Sequence, residues 1–335
     1  MNHSKQVEQL YRDFGTWIRQ RFPYRVQKIS VDAGFSCPNR DGRIGTGGCI
    51  YCDNRTFSPP YTTTLPDDDD ELATTVRRTH DLLGKCLPVR EQLEKGKDFF
   101  ARKYPDMKYL AYFQSFTNTY APLSTLISLY EEALSVPDVV GIVIGTRPDC
   151  VSDELLDYLS GLHDSFVLVE YGIESTLDST LQLINRGHHF ACTQKAIEAT
   201  HQRGILCGGH VIIGLPGESR EDIISQATTL STLPLDILKI HQMQIIKGTK
   251  LAQEYEQHPF HVFTVEEYIE LLGDYIQHLR PSLVLERFVS QSPASRLIAP
   301  RWGLKNHEFT HRLEKYMREN QLRQGGKYME KTSSQ

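Results

Sequence analysis

No apolar run in this 335-residue chain is long enough to cross a bilayer. The most continuous ones, 139–145 and 211–215, fall well short of the ~20 residues a membrane helix needs. The N-terminal MNHSKQVEQLYRDFG has no apolar core behind a basic start, so no secretory signal is expected and the expected compartment is the cytoplasm. Internal repeats of roughly 20–50 residues are absent, and so are low-complexity tracts, which sets aside solenoid, collagen-like and wholly disordered chains. The acidic run 67–71 comes nearest to a biased segment, and it suits a helix N-terminus. A paired set of cysteines is also missing. There are seven, and a chain of this length needs no disulfide staples, so reduced thiols or metal ligands are expected.

What remains is an ordinary globular composition, 39% hydrophobic and 24% charged, in a length that makes one large domain or two modest ones. The net charge of −5 is unevenly spread. Residues 5–43 hold eight Lys and Arg against four acids, residues 296–331 hold nine against four, and the middle is strongly acidic. Two basic ends on an acidic body are compatible with an anionic partner such as nucleic acid, and equally with solvated helix surfaces.

Strand-like segments at 26–32, 109–116, 139–146, 166–173, 205–214 and 237–246 alternate with helical ones at 122–134, 152–162, 193–203 and 221–230. Ser152 before Asp153 and Glu154, and Ser219 before Glu221 and Asp222, are N-terminal helix signals. Strand and helix repeated about six times predict a parallel sheet with helical crossovers, closed into a barrel or partial barrel, with the active site at the C-terminal strand ends. After Lys247 the alternation stops. A helix at 264–279, a candidate seventh strand at 284–289 and a basic helix at 309–320 predict a mixed C-terminal extension over 247–335. Before the barrel core at 26–246 comes an N-terminal helical segment at 1–25, and residues from 324 onward read as a loose tail.

The sharpest feature is the Gly-rich loop CPNRDGRIGTGGCIYC after the first strand, with Cys37, Cys49 and Cys52. Its glycines let backbone bend tightly and bring N–H groups toward an anionic centre. Structural zinc closes with four ligands and an ordinary cubane uses four cysteines, so three thiolates leave one metal position open for something that reacts. Zinc, with Asp53 or a distant His as fourth ligand, is the rival, and three unrelated buried thiols are the third reading. Cys86, Cys150, Cys192 and Cys207 match no ligand spacing and read as small apolar residues.

The loop GFSCPNRDGRIGTGGCIYC resembles radical S-adenosylmethionine (SAM) enzymes, in particular the subgroup related to the Elongator catalytic subunit. Its C-x11-C-x2-C spacing departs from the commoner C-x3-C-x2-C in the manner of that subgroup. VEYGIES with INRGHH after it, GGHVIIGLPGES, KIHQMQIIKGTKLA and LERFVSQSPASRLIAPRWGLK extend the resemblance over about residues 25–305, toward a small bacterial branch. No acetyltransferase domain follows the barrel, so that second Elongator activity is not expected. The resemblance implies an α/β fold, a partial (β/α)6 TIM-like barrel of the radical SAM type. It also implies a [4Fe-4S] cluster on Cys37, Cys49 and Cys52, with SAM on the open iron. Reductive cleavage would release methionine and a 5′-deoxyadenosyl radical, with a flavodoxin or ferredoxin as electron donor.

Position by position, the resemblance lays Tyr51 against the adenine. It puts a SAM amino-group contact at the end of the second strand, where the usual Gly-Gly-Glu is missing and Gln114 and Asn118 stand in. Glu170, Gly172 and Glu174 share a face by period two, and Glu170 is the candidate for the ribose hydroxyls. Alternatively, Glu170 and Glu174 pair with Arg147 or Arg186 as structural ion pairs. Ile212 and Gly214, then Met243 and Ile245, are the candidate adenine neighbours, while His210 and His241 read as satisfied interior histidines.

Elongator-like relatives act on the wobble uridine of tRNA. The resemblance therefore implies tRNA as partner and remodelling of a C5 side chain, for example carboxymethylaminomethyl to aminomethyl. Arg147, Arg287 and Arg296 are candidate forks for the carboxylate, and Trp302 is a base-stacking candidate or a buried tail anchor. Two readings compete: a radical SAM enzyme for a small metabolite or porphyrin-like substrate, and a zinc-stabilised RNA-binding module without catalysis.

Overall fold

The computed structural model describes residues 9–53, 86–101 and 106–329; the acidic run 67–71 lies outside them. Asp13 caps α1 (Phe14–Arg19), its carboxylate accepting from Thr16 N. From β1 (Val26–Val31) the chain continues through α2 (Val89–Ala101), β2 (Lys108–Phe113), α3 (Leu123–Leu134), β3 (Val139–Thr146), α4 (Asp153–Ser160) and β4 (Phe166–Glu174). Then come α5 (Asp178–Leu183), α6 (Phe190–Gln202), β5 (Leu206–Ile213), α7 (Arg220–Ser231) and β6 (Ile237–Gln242). The helix signals act as expected: Ser152 accepts from Leu155 N, and Ser219 makes a reciprocal capping box with Asp222.

The expected sixth strand breaks in two. After β6, the short β7 (Ile245–Ile246) leaves the main sheet, and α8 (Lys250–Gln257) and α9 (Val265–His278) follow. Next, β8 (Val284–Arg287) returns to the sheet beside β6, while β9 (Leu297–Ala299) pairs antiparallel with β7 and α10 (Asn306–Glu319) packs on α9. All pairs in the main sheet are parallel, in the order β1-β2-β3-β4-β5-β6-β8. This curled sheet is the partial barrel that the sequence predicts, with its seventh strand supplied from within 247–335. Gln324 is no part of a loose tail: its amide donates to the carbonyls of Arg280 and Leu283, and its Oε1 accepts from Arg12 N. Among the described residues no helix is long and apolar enough to cross a membrane.

Strand alternation stacks the barrel interior in tiers. At the N-terminal ends of the strands, Leu110, Val143, Leu168, Ile237 and Val284 pack with Trp17 and Ile18 of α1, an apolar plug. Two residues further along the strands stand Lys28, Tyr112, Glu170, Lys239 and Glu286. Lys28 bonds Glu170 at 3.0 Å and Glu286 at 2.8 Å, and Lys239 bonds Glu170 at 2.6 Å. Because β1 and β8 are the edges of the sheet, the Lys28–Glu286 pair reaches across the open seam.

Removing one partner of this tier leaves the others buried without it. K28M takes the nearest cation from Glu286, so it is expected to lower stability to urea by about 3–5 kcal/mol, and K28M/E286L to recover part of that.

Candidate functional site

The strand ends open onto one cavity that is lined by all three cysteines of the Gly-rich loop, Cys37, Cys49 and Cys52. All three are free thiols. The loop is pinned to the turn after α5. Ile50 N donates to Ile184 O (3.1 Å), Asn185 Nδ2 to Gly48 O (2.8 Å) and Asn39 Nδ2 to Asn185 O (2.5 Å). Gly48 takes φ +79°, and a Cβ there would stand 2.8 Å from Arg40 Nε, so both backbone and space ask for glycine.

Two guanidiniums border the thiols. Arg186 Nη1 lies 3.6 Å from Cys49 Sγ, and its Nη2 donates to Gly172 O (2.5 Å) and stands 3.9 Å from Glu174 Oε1. Arg40 donates to Cys52 O (2.9 Å). Burial pushes the Cys52 thiol up to about 11, with Cys49 and Cys37 adding to the shift and Arg40 opposing it. Three thiols beside two cations suit an iron–sulfur body, whose thiolates carry net negative charge. A mononuclear zinc fits less well. Among the described residues no three Cys, His, Asp or Glu side chains converge as a single-ion site, and Asp53 accepts from Arg296 Nε at 2.9 Å. Phe116, Glu174 and Asn185 hold left-handed backbone, φ 65°, 67° and 55°, a strain of about 1–3 kcal/mol each that gathers at the cavity and its anchoring turn.

Of the expected cofactor contacts, Tyr51, Gln114, Glu170, Ile212 and Met243 line the cavity. Gln114 accepts from Ser30 Oγ at 3.0 Å. Glu170 is 1% exposed and forms the floor, bonded to Lys28, Lys239 and His210. Against its burial, Lys239, Lys28 and His210 hold its carboxyl well below the usual range. Glu174 instead lies near Tyr51 and pairs with Arg186, which realises one of the anticipated ion pairs; among the described residues Glu170 pairs with neither Arg147 nor Arg186.

Asn118, Gly214 and Ile245 stand outside the residues that line the cavity. Asn118 spends its amide on Phe113 O and Gly145 O, tying β2 to β3. Gly214, at φ +90°, backs onto Phe263, and Ile245 is fully buried in β7. For Gly214 the expectation extends alternation beyond the end of β5 at Ile213, where it no longer decides direction.

The substrate candidates separate in the same way. Arg147 is buried, paired with Asp149 at 2.8 Å and donating to Arg186 O. Arg296 is bound to Asp53. Trp302 donates to Phe263 O (3.0 Å) and stacks on Phe309, ring centroids 5.7 Å apart, so it anchors the C-terminal segment. Arg287 lines the cavity. Arg186 entered the sequence reading only as an ion-pair partner, although INRGHH was the signal for it.

His210 is satisfied by Glu170, but His241 Nε2 is buried without a partner. Burial, with Arg287 and His210 beside it, pushes His241 well below the usual imidazole value, and burial with Lys239 lowers His210. Between those folded values and about 6.5, the unfolded chain binds the extra protons, so stability falls as pH falls. The Tm is expected to drop more steeply between about pH 7 and pH 5 in the wild type than in H241Q, and equal slopes would contradict this.

Residues 40–227 match the Radical SAM superfamily, and residues 235–319 match the Radical SAM C-terminal domain. The uncharacterized protein YtqA of Bacillus subtilis is 31% identical over 326 residues, 97% of this chain and 94% of that one. A tRNA uridine(34) acetyltransferase of Methanocaldococcus infernus is 28% identical over 188 residues, 55% of this chain but 34% of the relative. Among solved structures, Methanocaldococcus infernus Elp3 with an N-terminal deletion has a TM-score of 0.61 at 17% identity, a likeness of fold covering 90% of this chain and 64% of that one. The chain therefore spans less than two thirds of that Elp3. Members of the matched superfamily bind a [4Fe-4S] cluster and SAM, and the chain belongs to it, as a radical SAM enzyme.

Proposed function

We propose that Cys37, Cys49 and Cys52 hold the cluster, that SAM lies beside them in the cavity, and that the enzyme remodels the C5 side chain of the tRNA wobble uridine, converting carboxymethylaminomethyl to aminomethyl. The observation that carries the substrate is kinship through the barrel with a relative named for uridine 34 of tRNA. Exposed Arg301, Arg312 and Lys315 add basic surface suited to phosphates. The barrel core 26–246 carries the chemistry in this reading, and the extension 247–335 supplies a wall of the cavity and the basic surface.

When bound, the cluster and SAM supply a 5′-deoxyadenosyl radical. Arg40 and Arg186 offset the negative charge that the thiolates gather. Glu174, rather than the Glu170 expected from the resemblance, is the carboxylate for the ribose hydroxyls. Tyr51, Ile212 and Met243 offer apolar surface to the adenine and keep water from the reacting carbon. That carbon, beside the substrate nitrogen, loses a hydrogen; oxidation to an imine and attack by water then release glyoxylate and leave aminomethyl. The two electrons lost by the substrate equal the two that SAM takes up in becoming methionine and 5′-deoxyadenosine. A flavodoxin or ferredoxin is the proposed donor of the electron that would start a turnover; the electron released on imine formation would replace it, so the donor is not consumed net.

Anaerobically reconstituted enzyme with dithionite, SAM and tRNA carrying the carboxymethylaminomethyl group is expected to form 5′-deoxyadenosine, glyoxylate and aminomethyluridine together, all lost in C49A. RNA-independent turnover of a metabolite or porphyrin-like compound would sink the tRNA reading. A second test addresses Glu174 and Arg186. A Cβ at Gly172 would stand 2.6 Å from Glu174 Oε1 and 2.7 Å from Arg186 Nη2. Both contacts are movable side-chain ends, so G172A is expected to fold and to weaken SAM binding about tenfold. An unchanged Kd would remove this pair from the cofactor site.

A further inference from the structure

The cavity floor carries one positive charge more than its own carboxylates balance. Lys28 and Lys239 share Glu170 and Glu286 between them, at 3.0, 2.8, 2.6 and 3.6 Å. Arg287 adds a third cation, and among the described residues no ion pair is made to it. The two histidines nearby do not change the count, since burial keeps both neutral at pH 7.

Hydrogen bonding points the same way. Arg287 Nε and His241 Nε2 are buried and have no partner. Other buried polar atoms of the described residues also lack a partner, but these two lie together at the cavity floor, where a ligand can complete both. Both residues line the cavity, from the adjacent strands β8 and β6. A guanidinium presents planar paired donors that match a carboxylate, and a neutral imidazole can add an N–H. Of the other cavity arginines, Arg147 is paired with Asp149, Arg186 stands beside Glu174 and Cys49, and Arg40 donates to Cys52 O next to the thiols, while Arg296 is bound to Asp53; Arg287 is the one at the floor, away from the thiols, with no ion pair among the described residues.

We propose that Arg287, with His241 beside it, binds an anionic group of the substrate, a carboxylate on the part of the molecule drawn into the cavity. The proposal rests on the tRNA reading above and narrows it. A C5 side chain that ends in a carboxylate is held, and one that ends in an amine is not. The product of the reaction therefore loses the contact that held the substrate.

Two anticodon stem-loops, one with carboxymethylaminomethyluridine and one with aminomethyluridine, are titrated with the reconstituted holoenzyme and SAM. The wild type is expected to bind the carboxylate-bearing loop about 10–100-fold more tightly. R287M is expected to erase the preference, and R287K to keep part of it. R287M removes the surplus charge and leaves no buried ion unpaired, so it is expected to fold, which retention of the cluster absorbance checks. An equal loss for both loops, or no loss, overturns the proposal. So does loss of SAM binding in R287M, which would assign the arginine to the cofactor's own carboxylate. If neither loop binds the wild type, the tRNA reading fails and N-methylglycine decides the subsite by calorimetry. Saturable binding by wild type but not by R287M supports the proposal, and equal behaviour overturns it.

Discussion

Lys28, Glu170, Lys239 and Glu286 share one tier inside a barrel that does not close by strand pairing, and the positions of the surrounding parts follow from that tier. β1 and β8 are edges of the same sheet, yet Lys28 of one reaches Glu286 of the other at 2.8 Å. Burying four charges is tolerable only when each has partners, and here Glu170 is bonded by two lysines and an imidazole. The tier divides the interior. Below it Trp17 and Ile18 seal the strand bottoms, and above it the strand ends surround the cavity with the cysteines. Within the tier the Glu170 carboxylate is occupied as counter-ion of both buried lysines.

The thiol loop depends on a second constraint, its attachment to the turn after α5. Asn185 supports the loop through Gly48 O, and the next residue, Arg186, turns back to Cys49 and Gly172. A single turn thus fixes loop position, charge near the sulfurs and the placement of Glu174. The left-handed backbone at Glu174 and Asn185 is the local strain of holding these groups at once. Such strain is kept where surrounding contacts over-determine it, and the bonds around residues 184–187 do so.

The tiers of the barrel were legible because period-two alternation is rigid within a strand. Leu168, Glu170 and Gly172 share a face in the sequence and in the fold. The strand ends were not legible. β2 stops at Phe113, so Asn118 follows the loop beyond it, and β6 stops at Gln242, so Ile245 belongs to β7, which leaves the main sheet. Nor does a lone sequence disclose which of Glu170 and Glu174 is spent on lysines, since Lys28 and Lys239 come from strands 142 and 69 residues away from Glu170. Trp302 was open between two roles because its stacking partner Phe309 and its acceptor Phe263 lie on different elements. The cysteine spacing, by contrast, is local, and it pointed to the cavity directly.

Arg287 reaches the interior through an irregularity that alternation excludes. In a regular strand Glu286 and Arg287 would point to opposite faces. Instead the β6–β8 register slips after Leu238, so Leu238 pairs with Leu285 and Lys239 with Arg287, leaving Glu286 as the additional residue. A bulge sets two residues against one and re-aims side chains. Glu286 can then join the ionic tier while Arg287 also lies near His241 and Tyr112, whose proton affinities it shifts. The slip thus contributes both a carboxylate that closes the barrel and a cation that exceeds the barrel's own needs. Had the bulge served closure alone, Glu286 would suffice and the arginine would lie outside, solvated. Half-buried in the cavity wall with its Nε unpartnered, the arginine is placed to meet an anion that enters there.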